Sequence, residues 1–463
     1  MRRLLVCPLL ALLLLSGAAA HSRAQEGGGT DIVRGRVTDA TGSPVSGARV
    51  VARDLGSGVS RAAVTGRDGR YAVVFAEGGG RYEVLVSRLG FGSVRLTVAR
   101  EADEDVLVAD ARLAAASVGI DTLNVRASRQ GTPGRAQAGS SERTVSGELA
   151  ERLPLRDNDP ATLATLSPGV VATAGADSAS GGFSVAGQRS SQNNVTLDGA
   201  GFAALLSGAQ LGADGPGVPP DGVRGTRVIT STYDVARGQF SGGQVETTTR
   251  AGTGTVRGSG SYQLRDDRLN GSAGHTPWAA GFTQHRATGG IGGPLLRDRL
   301  FYFASFTVQR RVERLSTLEP RSPAGFAGVG VSADSVARFL AVMQDRYGVP
   351  AAPQAGAFGR TGSGFSVLGR VDYVAGAHAA ALRGFASGSR QNGALVRPLD
   401  ARQHGGESRG DAATGVATLT SRLGAAWINE LRAAASSGSQ SLASPTLLPE
   451  ARVRVSTLFD DGA

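Results

Sequence analysis

One long apolar run occurs in this chain, Leu4 to Leu15, and no other stretch approaches the roughly 18 residues that a membrane-spanning helix needs. Beyond that run, any passage through a bilayer has to be made by strands. The run follows Arg2-Arg3 and ends in Ser16-Gly17-Ala18-Ala19-Ala20, which is the charged start, short apolar core and small-residue cleavage site of a secretory signal peptide. Residues 1–20 are expected to be removed, so that the mature chain begins near His21. Cys7 lies within the apolar core rather than after it, and reads as an ordinary residue of the signal rather than a point of lipid attachment.

Cys7 is the single cysteine, so the exported chain has no thiol for a disulfide, a thiolate metal site or a nucleophile. The five histidines, His21, His275, His285, His378 and His404, show no ligand spacing. No catalytic residue, no metal and no cofactor are therefore expected, and the chain is not read as an enzyme. The net charge of +10 comes from 49 basic residues, all arginine and scattered in nothing longer than pairs such as Arg310-Arg311. Without a basic stripe or interleaved aromatics, nucleic acid is not an expected partner. The 68 glycines follow no fixed period and belong in turns and small-residue strands.

Residues 31–115 alternate apolar and polar with period two, broken by turn residues, which is the pattern of a small β-sandwich. Strands are predicted at 48–52, 71–75 and 82–86, with Tyr82, Val84 and Val86 on the core face. Turns are predicted at Asp39-Ala40-Thr41-Gly42-Ser43-Pro44 and at Asp68-Gly69. Gly35-Arg36-Val37-Thr38-Asp39, Gly42-Ser43-Pro44-Val45-Ser46-Gly47-Ala48, Asp68-Gly69-Arg70-Tyr71 and Leu89-Gly90-Phe91 together resemble the carboxypeptidase regulatory-like domain. The resemblance implies a transthyretin-like, carbohydrate-binding-like sandwich that serves as an accessory module. No His-x-x-Glu zinc pair accompanies it.

Residues 116–143 read as a linker, polar after its first few residues. Within it, Asp121, Thr122, Leu123, Asn124 and Val125 form a short β-prone segment ahead of a flexible stretch, suited to pairing with the edge of a partner's sheet. The segment resembles the TonB box of TonB-dependent outer-membrane receptors. A last strand of the sandwich is the other reading of the same residues.

From residue 144 to 245 the pattern turns to mixed α and β. Short helices are predicted from Ser146 to Leu153 and from Ala161 to Leu166, and strands at 183–186, 194–197 and 227–230. Four motifs occur in order: Arg152-Leu153-Pro154-Leu155-Arg156, Leu166-Ser167-Pro168-Gly169-Val170, Ser184-Val185-Ala186-Gly187-Gln188-Arg189, and Asn193-Asn194-Val195-Thr196-Leu197-Asp198-Gly199. They resemble the plug domain of TonB-dependent receptors, and the sandwich ahead of them is similar to the Oar-like subgroup. Asn193, Asn194 and Asp198 are the residue types that hold turns through their own backbone, so the expected role of the plug motif is structural.

Residues 246–463 alternate as membrane-barrel strands do. Val256, Gly258, Gly260, Tyr262 and Leu264 would share one face of a first strand; Phe365, Val367, Gly369, Val371 and Tyr373 would share one face of a later one. Phe301, Tyr302 and Phe303 are candidates for an interfacial aromatic girdle or for plain strand packing. A helix from Val336 to Tyr347, capped by Asp334 or Ser335 and ended by Gly348, belongs in a loop between strands.

The fold class expected is thus mainly β: an N-terminal sandwich, a small α+β plug domain and the first strands of an incomplete antiparallel transmembrane β-barrel. The stretch from about residue 245 has room for about eight to ten spanning strands, against about 22 in large plugged barrels. It ends in Phe459-Asp460-Asp461-Gly462-Ala463, which reads as a turn, so the expectation is the front part of a longer receptor. The resemblance implies an outer-membrane location, contact with outer-membrane lipid, a periplasmic sandwich, uptake of an extracellular solute and a TonB-like energy-coupling protein of the inner membrane as partner. A secreted or surface-attached β-rich adhesion or carbohydrate-binding protein is the alternative.

Overall fold

The computed structural model describes residues 31–75, 80–100, 106–115, 123–124, 141–147, 163–173, 182–189, 192–201, 217–231, 240–270, 278–322, 324–351, 354–423 and 427–443. The chain is mainly β, built as a sandwich, a mixed middle domain and one large antiparallel sheet.

The sandwich comprises β1 (Asp31–Thr38), β2 (Arg49–Asp54), β3 (Ser60–Val64), β4 (Arg70–Phe75), β5 (Arg81–Ser87), β6 (Val94–Ala99), β7 (Val106–Val108) and β8 (Ala111–Arg112), joined by the two-residue β9 (Leu123–Asn124). One sheet runs β4-β1-β7, with β8 also on β1, and the other runs β3-β2-β5-β6-β9. Tyr82, Val84 and Val86 face inward with no exposure, as their alternation requires, against Phe75, Leu96 and Val33. Each such side chain contributes roughly 1.5–3 kcal/mol by leaving water. The Tyr82 hydroxyl donates to wholly buried Asp31 at 2.5 Å, and Asp31 is also paired with Arg100. Tyr71 donates to the Ala109 carbonyl at 2.5 Å, and burial, helped by Asp110, pushes its phenol well above the ordinary range. Gly35 admits that same strand, since a Cβ there would stand 2.0 Å from the Ala109 oxygen.

The middle domain holds β10 (Ser141–Ser146), β11 (Val170–Thr173), β12 (Gly182–Val185), β13 (Asn194–Leu197), β14 (Ala200–Gly201), β15 (Val223–Ser231) and β16 (Gln244–Thr249). Its sheet has the order β10-β15-β16-β13-β14, with β13 parallel to β16 and the other pairs antiparallel; β11 and β12 form a separate hairpin. β10 begins three residues inside the expected linker, because alternate residues of this polar segment find a ladder on β15. Ser146 therefore ends a strand, and the helix expected from it to Leu153 lies outside the described residues past 147. Of the second expected helix, Leu163 and Ala164 are described, helical and buried.

The large sheet is a meander of seven strands: β17 (Arg257–Asp266), β18 (Ala279–Leu296), β19 (Leu300–Thr317), β20 (Gly356–Ala375), β21 (His378–Gln391), β22 (Glu407–Leu423) and β23 (Trp427–Ala443). It is open, with β17 and β23 at its edges. Among the described residues seven strands stand where eight to ten were expected for the whole stretch; most run well past the minimum span, up to 20 residues in β20, and residues 444–463 lie outside the described residues. Segments 297–299, 376–377 and 424–426 connect them at one rim, and 267–278, 318–355 and 392–406 at the other. In the second of these long connections lies α1 (Ala333–Tyr347). Its cap is Ser332, whose side chain accepts from the Ser335 N–H, two or three residues earlier than the expected Asp334 or Ser335; Gly348 ends it at φ 66° as expected.

Alternation divides this sheet into two unlike faces. Phe306, Val308, Phe365, Val367, Val371, Tyr373, Leu382 and Leu419 are exposed on the convex side, whereas Ser305, Thr307, Gln309, Ser366, Arg370, Asp372, Arg383 and Thr418 are buried on the concave one. The apolar rows run from Leu300–Tyr373 to Val308–Phe365, eight residue steps of about 3.3 Å, or roughly 26 Å. Strands of outer-membrane barrels tilt by about 35–45°, so this length along the strand makes a band about 20 Å tall, most of the roughly 25 Å of such a barrel. The aromatic triplet divides between the faces. Tyr302 is on the convex side, but Phe301 is buried in the sandwich core and Phe303 in that of the middle domain, so two of the three girdle candidates are packing residues.

Candidate functional site

The middle domain is seated against the concave face of the sheet. Val185, Val195, Leu197, Val228 and Val245 share one apolar cluster with Phe303, Leu368, Phe385 and Ala412 of the strands β19 to β22. Backbone approach is possible because glycines stand at the contact. A Cβ on Gly222 would lie 2.4 Å from the Ser305 hydroxyl, and one on Gly252 would lie 2.5 Å from the Tyr302 carbonyl oxygen.

A buried charge group sits at this contact. Asp198 follows β13 in a left-handed turn with Gly199, at φ 49° and 77°. Its carboxylate accepts the Thr249 N–H at 2.9 Å and the Thr249 hydroxyl at 2.7 Å, so the end of β16 is tied to the end of β13. From the sheet, Arg370 donates to the Thr249 carbonyl at 3.3 Å and grips Asp372 through Nε and Nη2 at 2.9–3.0 Å. Arg383 Nε stands 3.9 Å from the Asp198 carboxylate. Asp198, Arg370, Asp372 and Arg383 are all at most 4% exposed, so the two charges of each sign compensate one another away from water. Leu197, Asp198, Thr249, Arg383, Phe385 and Thr414 line a small space at the same place. This arrangement holds the exit strand of the middle domain from both sides.

Several plug-motif residues stand in turns, but the side chains of Asn193 and Asp198 bond distant segments rather than their own backbone, and Asn194 lies in a strand, unlike the expectation. Gly169 (φ 78°) and Gly187 (φ 79°) sit in exposed turns, the Gly169 carbonyl accepting from the Ala186 N–H; Pro168 is exposed beside the first. Gln188 donates its N–H to Val185, and the Arg189 N–H reaches the Gln192 side chain. Asn193 donates to the Phe183 carbonyl at 2.7 Å and accepts from the Gly243 N–H at 3.1 Å, joining β12 to the start of β16; Asn194 begins β13 with its N–H on the Gly243 carbonyl. Of the box-like segment, Leu123 and Asn124 pair in parallel with Val94 and Arg95 of β6, while Asp121, Thr122 and Val125 lie outside the described residues. Sequence reasoning missed Thr249, Arg370, Asp372 and Arg383. The signal for the two on β20 was present: they are the alternates opposite the apolar run Phe365 to Tyr373, which makes Arg370 and Asp372 inward-facing charges.

Among the described residues no group of three His, Cys, Asp or Glu side chains is placed to hold a metal, and no helix is long and apolar enough to cross a membrane. Residues 32–114 match the family model of the carboxypeptidase regulatory-like domain. No curated protein matches the chain. Among solved structures it is similar to the outer membrane transporter YddB from Escherichia coli, at 16% identity and TM-score 0.43, covering 64% of this chain and 38% of that one. It is also similar to the ferric enterobactin receptor PfeA from Pseudomonas aeruginosa, at 15% identity and TM-score 0.41, covering 61% and 39%. A third is the siderophore receptor PirA from Acinetobacter baumannii, at 14% identity and TM-score 0.37, covering 65% and 48%. The chain thus spans less than half the length of each of these.

Proposed function

We propose that this chain acts as an outer-membrane receptor of the TonB-dependent type, taking up an extracellular solute with energy supplied through an inner-membrane coupling protein. One observation carries the reading: a folded mixed domain is seated in the polar concave face of a strand meander whose convex face is a continuous apolar band. A soluble sandwich has the opposite need, an apolar inside and a polar outside. The asymmetry of the rims supports an orientation, because outer-membrane strands join by short turns in the periplasm and long loops outside. The sandwich touches the short-turn rim, where Arg422 donates to the Ala72 carbonyl at 2.9 Å and the Gly254 N–H to that of Ser57, which supports a periplasmic sandwich. In this reading the middle domain is the plug, and Asp121 to Val125 are the segment on which the coupling protein pulls.

Membrane fractionation tests the location: recovery with the carbonate-resistant outer membrane is expected, and release into the medium would favour an adhesin. Growth of a deletion strain on defined iron, glycan and peptide sources identifies the solute. Deleting residues 121–127 should then abolish that uptake while leaving the protein in the membrane.

A further inference from the structure

Strand β6 has two edges. Along one it pairs with β5 from Val86–Val94 to Arg81–Ala99; along the other its only strand partner among the described residues is β9, with Leu123 beside Val94 and Asn124 beside Arg95. The chain is led there by the sandwich itself. Phe91 bridges to Ala115 and the Gly92 N–H donates to the Ala114 carbonyl, so the chain leaves the domain next to the start of β6. An exposed edge offers a row of unpaired N–H and C=O groups to any extended segment of matching direction.

We propose that this edge of β6 is an acceptor for the coupling segment, so that the sandwich and the inner-membrane coupling protein compete for the same short strand. The proposal rests on the reading of residues 121–125 as that segment. Among the described residues the segment pairs at two positions, a short ladder that keeps it off other sheets yet can be peeled away by a partner offering a longer one. The sandwich is then a keeper of the coupling strand, and its contact sets how much of the receptor is free to be engaged.

The exported chain contains no cysteine once Cys7 is removed with the signal, so introduced thiols are unique. Neighbouring strands lie about 4.8 Å apart, within the Cα separation a disulfide spans. In the full chain in outer membranes, the double variant Arg95→Cys/Asn124→Cys should oxidise readily. Glu83→Cys/Asn124→Cys, whose first cysteine is a strand further away on β5, should not. Binding of the purified periplasmic domain of the coupling protein should fall about ten-fold or more in the oxidised form and return on reduction, since only unlatched segment is competent. No preference for the Arg95 pair, or binding unchanged by its oxidation, would overturn the proposal. Deleting residues 121–127 tests the other claim alone: if binding survives that deletion, the box reading fails whatever the crosslink shows.

Discussion

Asp198 takes both donors of Thr249, the N–H at 2.9 Å and the hydroxyl at 2.7 Å, from a left-handed turn on the neighbouring strand. The two residues are wholly buried between the plug-like domain and the sheet, so neither donor has water to fall back on. Asp198→Ala is expected to destabilise the domain by about 2–4 kcal/mol, the cost of orphaning two buried donors and removing a compensating charge. Asp198→Asn should cost less, since an amide oxygen still accepts and asparagine tolerates the left-handed turn. Thermal unfolding of both variants, with protease cleavage of the 141–249 region as a second readout, checks the order.

Arg370 and Asp372 form a bidentate pair on β20 with almost no exposure. Arg370→Met leaves the Asp372 carboxylate buried without its bidentate partner and should cost about 3–5 kcal/mol. Arg370→Met with Asp372→Leu removes both charges and should recover much of that loss, apart from the bond from Arg370 to the Thr249 carbonyl. Stability additive in the two single changes would show that the pair is not coupled.

Gly222 and Gly252 allow the backbone of the middle domain to meet β19. The atom opposite Gly252 is a backbone carbonyl oxygen, which cannot turn aside, whereas that opposite Gly222 is a serine hydroxyl. Gly252→Val should therefore unseat the exit of the middle domain more severely than Gly222→Ala. Faster proteolysis around residues 250–256 in the first variant, with near-parental resistance in the second, is the expected result.

The sandwich was legible because its core is local: Tyr82, Val84 and Val86 alternate within one strand, and the turn at Asp39–Pro44 declares itself by residue type. In the plug-like domain the turn positions Gly169, Gly187, Asp198 and Gly199 were legible for the same reason, though Asn194 belongs to a strand. What they hold was not, since Asn193 reaches Gly243 and Asp198 reaches Thr249 across some fifty residues. Alternation predicted that Phe365 to Tyr373 share a face but could not say which face meets lipid, and a soluble sandwich shows the same period. The triplet Phe301, Tyr302 and Phe303 stayed open between girdle and packing for a related reason: contiguous aromatics on a strand must point both ways, so at most alternate members can share a girdle.

Asp39 gives the sandwich an acid-sensitive turn. The Thr41 hydroxyl above all, with the N–H groups of Ser43, Thr41 and Gly42, favours its ionised form and lowers its pKa, against a smaller effect of desolvation. A carboxylate whose folded pKa is depressed adds stability above its unfolded pKa, and that stability is lost as pH falls through the folded value. Asp39→Ala should thus lower the melting temperature of residues 31–115 at neutral pH, and the gap to the parent should narrow below the ordinary aspartate range. A gap that stays constant into strong acid would mean that the turn does not depend on the charge.

The two faces of the large sheet make opposite demands on the same substitution. Val367 lies between Phe306 and Ala386 in an exposed apolar row, one row inside the band from its long-loop edge at Val308–Phe365. If that row faces hydrocarbon, Val367→Arg places a cation within it at a cost of about 2–4 kcal/mol. Ser363, four residues along on the same face, pairs with Arg310 and Arg390 beyond the apolar rows, so Ser363→Arg meets headgroups and water. The expected outcome is loss of protease-resistant, outer-membrane-associated protein for Val367→Arg in the full chain and near-normal recovery for Ser363→Arg. Equal recovery of the two variants would mean that the convex face is covered by protein or water rather than lipid, and the receptor reading would lose the observation that carries it.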